Sequence, residues 1–133
     1  LQIDELKGTK PTEKIDLSHK LLRGVASAII IASCIKTNGV LKELNLANNQ
    51  LCGVDCYCSG TYTTEGITKL CEALKGSAVT SLNIRYNHIG AEGASALTPV
   101  LKETMISHLD VGFNDITGDA ASHLAKVVLD HAA

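Results

Sequence analysis

The stretch Leu41–Leu51, LKELNLANNQL, decides how the chain is read. Leucines stand at positions 41, 44, 46 and 51, and Asn49 stands between the last two. Val79–Ile89, VTSLNIRYNHI, repeats the spacing through Val79, Leu82, Ile84, Asn87 and Ile89. Ile106–Ile116, ISHLDVGFNDI, repeats it through Ile106, Leu109, Val111, Asn114 and Ile116. An earlier copy, TEKIDLSHKLL (12–22), keeps Ile15, Leu17 and Leu22 but has Lys20 where the others have Asn. Agreement at five positions in three separate segments points to stacked copies of one structural unit.

The spacing has a physical reason. Each apolar-x-apolar core is a short strand that sends two side chains to one face. The chain then turns, and the Asn is drawn inward so that its amide bonds the backbone of the turn. Asn49, Asn87 and Asn114 are expected to stack as a ladder. A buried amide without those partners would cost on the order of 1–3 kcal/mol. The pattern resembles the leucine-rich repeat, and a first copy without the Asn suits an atypical terminal repeat.

Taken in order, residues 1–11 read as an N-terminal cap, polar through Asp4, Glu5 and Lys7 and broken by Gly8 and Pro11. Repeats follow at 12–40, 41–78, 79–105 and 106–133, all within a single domain. Three- and four-residue apolar steps predict helices over Arg23–Thr37, Thr64–Lys75, Ala91–Lys102 and Gly118–Asp130. Pro99 lies inside the third and is expected to bend it or to free a backbone carbonyl. The repeat period is 29 residues from Ile15 to Leu44 and 27 from Leu82 to Leu109, but 38 from Leu44 to Leu82. The surplus falls in CGVDCYCSGTYTTE (52–65), which lacks periodicity and reads as a loop on the rim of the array.

Composition narrows the function classes. The net charge is −2 without a basic run, so neither nucleic acid nor an anionic membrane is indicated. The longest apolar run, Val25–Ile35, is too short to span a bilayer. Five Cys without a disulfide-scaffold spacing favour a cytoplasmic address. Cys52, Cys56 and Cys58 could hold a metal with His88, but no second Cys pair exists, and free thiols on a mobile loop are the simpler reading. Cys34 and Cys71 fall on inward helical positions. No nucleophile, phosphate-loop or zinc-protease motif is present, and no catalytic residue, metal or cofactor is assigned. His108 and Asp110 share a strand face and read as polar surface.

Period and helix content together resemble the ribonuclease-inhibitor-like class of leucine-rich repeats across residues 12–131. The resemblance implies a right-handed α/β solenoid, with a parallel sheet on the concave face and helices on the convex face. It also implies recognition, since that class includes ribonuclease inhibitor, repeats of innate immune receptors and the activator of the GTPase Ran. The expected function is therefore a non-enzymatic scaffold that binds a protein partner through the concave face and the rim loop. Two alternatives stand beside it: a GTPase regulator resembling the Ran activator, and a metal-stabilised Cys-rich loop with a redox role.

Outward columns follow from the register. Asn45, Asn83 and Asp110 share one with Asp16; Arg85 shares the next with Ser18, Ala47 and Gly112. Asn48, Tyr86 and Phe113 share a third with His19, and Glu43 and His108 flank them with Lys14 and Ser81. The candidate binding residues are Glu43, Asn45, Asn48, Asn83, Arg85, Tyr86, His108, Asp110 and Phe113. Within the set Tyr86 and Phe113 are the expected hot spot, with Arg85 free to meet a partner carboxylate. Four strands at about 4.8 Å spacing present a small face. A tight complex would thus draw in the loop, or the chain would be a segment of a longer array.

Overall fold

A computed structural model describes residues 3–20, 22, 24–55, 57, 59–119, 121, 122 and 124. Each apolar-x-apolar core forms a three-residue strand: β1 (Lys14–Asp16), β2 (Glu43–Asn45), β3 (Ser81–Asn83) and β4 (His108–Asp110). They pair in parallel in the order β1-β2-β3-β4. Ile15, Leu44, Leu82 and Leu109 stand in one register row, as the repeat alignment requires. The long step between the second and third repeats leaves that row undisturbed, so the insertion lies wholly outside the sheet.

Helices α1 (Ile3–Lys7), α2 (Gly24–Ile35), α3 (Glu65–Leu74) and α4 (Gly90–Leu97) back the strands. Leu44, Leu46, Leu51, Ile67, Leu70, Leu82 and Ile84 fill the space between the layers and are fully or almost fully buried. Gly66 permits the close fit of α3. A Cβ there would lie 2.9 Å from the Ala28 Cβ and 2.9 Å from the Leu51 carbonyl oxygen. The helix of the last repeat begins at Gly118 as expected; its course beyond Leu124 toward Asp130 lies outside the described residues.

Two buried polar columns hold the turns. Asn49 donates to the carbonyls of Leu17 and Leu46, and its side-chain oxygen accepts the N–H groups of Lys20 and Leu22. Asn87 repeats this toward Leu46, Ile84 and the N–H of Leu51. Asn114 repeats it toward Ile84, Val111 and the N–H groups of Asn87 and Ile89. Each rung thus ties its own turn to the preceding repeat. The second column, Asn38, Ser77 and Thr104, closes the helix-to-strand turns and has no counterpart in the sequence reading. Its oxygens accept the N–H groups of Val40, Val79 and Ile106, and Ser77 and Thr104 donate to the carbonyls of Leu74 and Leu101.

Several expectations change. The cap is not held by polarity alone: Leu6 is fully buried, and the Asn38 amide donates to the carbonyls of Glu5 and Leu6. Pro99 ends the third predicted helix rather than bending it. The α-helix stops at Leu97, and Thr98 closes on the Ala94 carbonyl through both its N–H and its hydroxyl. Pro99 offers no N–H to continue, and the chain passes into a short 3-10 turn at Leu101–Glu103.

The rim insertion is a docked structure. Val54 and Gly60 pair in an antiparallel bridge, and the Asp55 carboxylate accepts the N–H groups of Tyr57 and Ser59. Cys52, expected as a loop thiol, is fully buried in the core. Tyr62 then pins the loop's far end by donating its hydroxyl to the Ile89 carbonyl of the third repeat. Cys56 and Cys58 lie outside the described residues.

Candidate functional site

Local turn chemistry sorts the sheet face into columns with different jobs. Asp16, Asn45, Asn83 and Asp110 each accept the N–H two residues on, from Ser18, Ala47, Arg85 and Gly112. They form Asx turns that end each strand in the same way. Asn45 and Asn83, predicted as binding residues, thus use their side-chain oxygens on their own backbone. Glu43 lies 3.3 Å from Lys14 on the adjacent strand. His108 stands at the opposite end of β4 from Phe113, with its Nδ1 3.0 Å from the Ser107 hydroxyl. His108 and Asp110 keep separate partners.

The structure brings Arg85, Tyr86, Asp110 and Phe113 together. The rings of Tyr86 and Phe113 stack with centroids 4.5 Å apart and planes within 6°. Both stay exposed, Tyr86 at 41% and Phe113 at 63%. The Arg85 guanidinium carbon lies 4.5 Å from the Phe113 centroid and 5.5 Å from that of Tyr86. Its Nη1 is 3.5 Å from the Asp110 carboxylate. Arg85 is therefore engaged within the sheet, not free for a partner as the sequence suggested. Gly112 makes the room: a Cβ there would lie 2.8 Å from Arg85 Nη1.

Backbone conformation is uniform along the aromatic column. His19, Asn48, Tyr86 and Phe113 all have positive φ, at 54°, 57°, 56° and 53°. In the first three the N–H reaches a carbonyl of the next repeat, His19 to Ala47, Asn48 to Arg85 and Tyr86 to Gly112, and Phe113 repeats the same turn. Asn tolerates this region well, whereas a bulky ring does not. The left-handed conformation costs roughly 1–2 kcal/mol per residue. An aromatic stack returns roughly 0.5–1.5 kcal/mol beyond its buried area, which offsets about one of the two residues.

Two family models, each described as a leucine-rich repeat, match the chain, one at residues 78–97 and 102–125 and the other at 40–60. The chain is a leucine-rich repeat protein. Among solved structures it is similar to the Leiomodin-1 actin-binding site 2, at 18% identity and a TM-score of 0.74, over 94% of this chain and 69% of that one. It is also similar to the tropomodulin C-terminal domain of Caenorhabditis elegans, at 8% identity and a TM-score of 0.55, over 97% and 90%. A comparison with curated proteins gives no match.

This leucine-rich repeat protein also carries a groove that the sequence did not reveal. It holds about 540 Å³ and runs beside the aromatic column, with Asn48, Tyr86, His88, Phe113 and Asp115 along it and Asp55 contributed by the rim loop. His88 and Asp115 take positive φ as well, and His88 Nδ1 lies 3.7 Å from the Asp115 carboxylate. The repeat places residues 86, 88, 113 and 115 in sequence, but the approach of Asp55 depends on how the insertion folds.

Elsewhere the chemistry is quiet. Burial pushes the Cys52 thiol up to about 11, with Tyr62 as a hydrogen-bonding neighbour, and pushes Cys71 up to about 12. Both are neutral thiols at neutral pH, which suits core packing rather than nucleophilic attack. The metal-loop reading would need Cys52 to leave the core. Among the described residues no helix is long and apolar enough to cross a membrane.

Proposed function

We infer that this protein is a non-enzymatic protein-binding module whose contact surface centres on Tyr86 and Phe113. The observation that carries the reading is a stacked, exposed aromatic pair held in a backbone region that disfavours it. Strain of this kind is retained where binding needs a fixed side chain, and aromatic residues with Arg dominate binding hot spots. Asp110 fixes Arg85 against the rings, which lowers the entropy lost when a partner docks. The 27-residue step with its helix favours the ribonuclease-inhibitor-like class. Unpaired buried thiols at Cys34, Cys52 and Cys71 suit a reducing, cytoplasmic setting.

A specific test is photo-crosslinking. A benzophenone amino acid in place of Phe113 should give discrete protein adducts in an extract of the source cells. The same probe in place of Met105, which is exposed at the other end of β4, should not. Equal adducts from both positions, or none from Phe113, would defeat the reading.

The fold likeness to the Leiomodin-1 actin-binding site supports actin as the first partner to try. Monomeric and filamentous actin should bind the parent protein and lose affinity for the Tyr86→Asn/Phe113→Asn variant. No binding of either form removes actin as the partner without touching the aromatic surface. The GTPase-regulator alternative has no residue assigned to it on this face, where Arg85 is paired with Asp110.

A further inference from the structure

The groove beside the aromatic pair has a chemistry of its own, and the geometry points to one kind of occupant. We propose that it binds an extended, basic segment of a partner protein, with an apolar side chain against Tyr86 and Phe113 and Lys or Arg toward Asp55 and Asp115. The proposal rests on the aromatic surface already inferred and specifies what that surface accepts.

The dimensions come from the repeat. Asp55 belongs to the second repeat, Tyr86 and His88 to the third, and Phe113 and Asp115 to the fourth. With His19 of the first repeat also lining it, three strand steps of about 4.8 Å make roughly 14 Å, the length of about four extended residues. A groove of about 540 Å³ suits such a segment and its side chains. It is also too small to take a folded domain.

Charge sets the polarity of the occupant. Asp115 is largely exposed, with 81% of its side chain accessible, and His88 is its neighbour. Asp55 is fixed at the loop end by the two N–H groups it accepts. Arg85, the nearby cation, is matched by Asp110 on the same sheet. That leaves two carboxylates flanking an aromatic wall, a combination that attracts a cation both by ion pairing and through the ring faces. An acidic segment would meet repulsion at both ends.

The loop is built to stay in place. Tyr62 donates to the Ile89 carbonyl, Thr63 N–H to the Cys52 carbonyl, and Gly53 N–H to that of Gln50. Asp55 is consequently presented by a docked hairpin, and the groove exists before any partner arrives. Binding that needs no loop ordering keeps more of its interaction energy as affinity.

The experiment is selection of a random peptide library displayed on phage against the purified full chain. Counter-selection uses the Tyr86→Asn/Phe113→Asn variant, its fold checked by circular dichroism. The expected outcome is enrichment of Lys or Arg next to Leu, Ile, Phe or Met. Synthetic copies of the enriched peptides should bind about tenfold more weakly to Asp55→Asn/Asp115→Asn and lose most of their salt dependence. Asn at position 55 keeps the side-chain oxygen that orders the loop.

Peptides that are not basic and ignore the Asp55/Asp115 variant, yet fail on the aromatic variant, would overturn the basic segment and leave the aromatic surface standing. Peptides that bind the aromatic variant equally would overturn both. No enrichment, or a dimer in sedimentation velocity that the aromatic variant dissolves, would replace the peptide groove by a different kind of interface.

Discussion

The side-chain oxygen of Asn114 accepts the main-chain N–H of Asn87 at 2.7 Å. One rung of the ladder thereby fixes the backbone that presents the next. Asn87→Ala would strip partners from the carbonyls of Leu46 and Ile84 and from the N–H of Leu51. The expected loss in urea melts is about 2 kcal/mol or more. The matched control is Asn48→Gly rather than Asn48→Ala, because Asn48 has φ 57° and Ala there would be strained. Asn48→Gly should change stability by less than about 0.5 kcal/mol. Equal losses for the two variants would refute the ladder.

Tyr86→Asn/Phe113→Asn should raise stability or leave it level, since Asn accepts the positive φ that both rings endure. Tyr86→Ala/Phe113→Ala removes the stack and keeps the strain, so it should melt below the Asn variant by about 1 kcal/mol. Thermal melts of the three proteins decide the matter. If the Asn variant is the least stable, the rings serve the fold.

Arg85→Ala should lower stability by no more than about 1 kcal/mol, because its pair with Asp110 is partly exposed and the ring contact is modest. Gly112→Ala should act on the same guanidinium by filling its place, with Arg85 swinging away while the turn stays folded. Crystal structures or arginine side-chain NMR of Gly112→Ala would show the displacement. A Gly112→Ala protein with Arg85 still on Phe113 would contradict it.

Tyr62→Phe deletes one hydrogen bond and should cost about 1 kcal/mol in global stability. Its larger effect should be local. Amide exchange at Gly53 and Thr63, both bonded within the loop base, should quicken while the Leu44 and Leu82 strands keep their protection. Uniform acceleration across the chain would mean that the loop and the solenoid open together. For the same reason removal of residues 53–63 should not be innocuous, since it takes away the Tyr62 anchor and uncovers Cys52.

Stability should also fall at alkaline pH in a way that depends on two thiols. The Cys52 and Cys71 pKa values rise on folding, from 9.0 to about 11 and about 12. A raised acid favours the folded state fully below the unfolded pKa, and the advantage disappears as pH climbs through the folded value. The decline should therefore begin near pH 9 and continue to about pH 11–12. Cys52→Ala/Cys71→Ala, less stable at neutral pH, should show a shallower slope over that window. Parallel slopes would show that other groups, such as tyrosines, govern the alkaline limb.

The sequence by itself determined the architecture. Spacing of Leu and Ile positions fixed the strands, their parallel register and the interior, because a period of two within a strand leaves one choice of inward face. Asn49, Asn87 and Asn114 could be placed in the core before any coordinates, since a mid-turn Asn at a constant offset has to satisfy the same backbone groups in every repeat. The stacking of Tyr86 on Phe113 followed from the same register.

Tertiary structure decided what lies off the repeat. Residues 52–65 have no period, so only packing could send Cys52 inward, seat Tyr62 on Ile89 and carry Asp55 to the groove. The hydroxyls of Ser77 and Thr104 meet the buried carbonyls of Leu74 and Leu101, a role that no spacing in the sequence announces. Arg85 looked free because its partner Asp110 stands 25 residues away in sequence, brought within reach by strand pairing. Positive φ at Tyr86 and Phe113 was invisible for a related reason. At Tyr86 it accompanies a hydrogen bond to Gly112 of the neighbouring repeat, and Phe113 repeats the same turn, against the preference of the residues themselves.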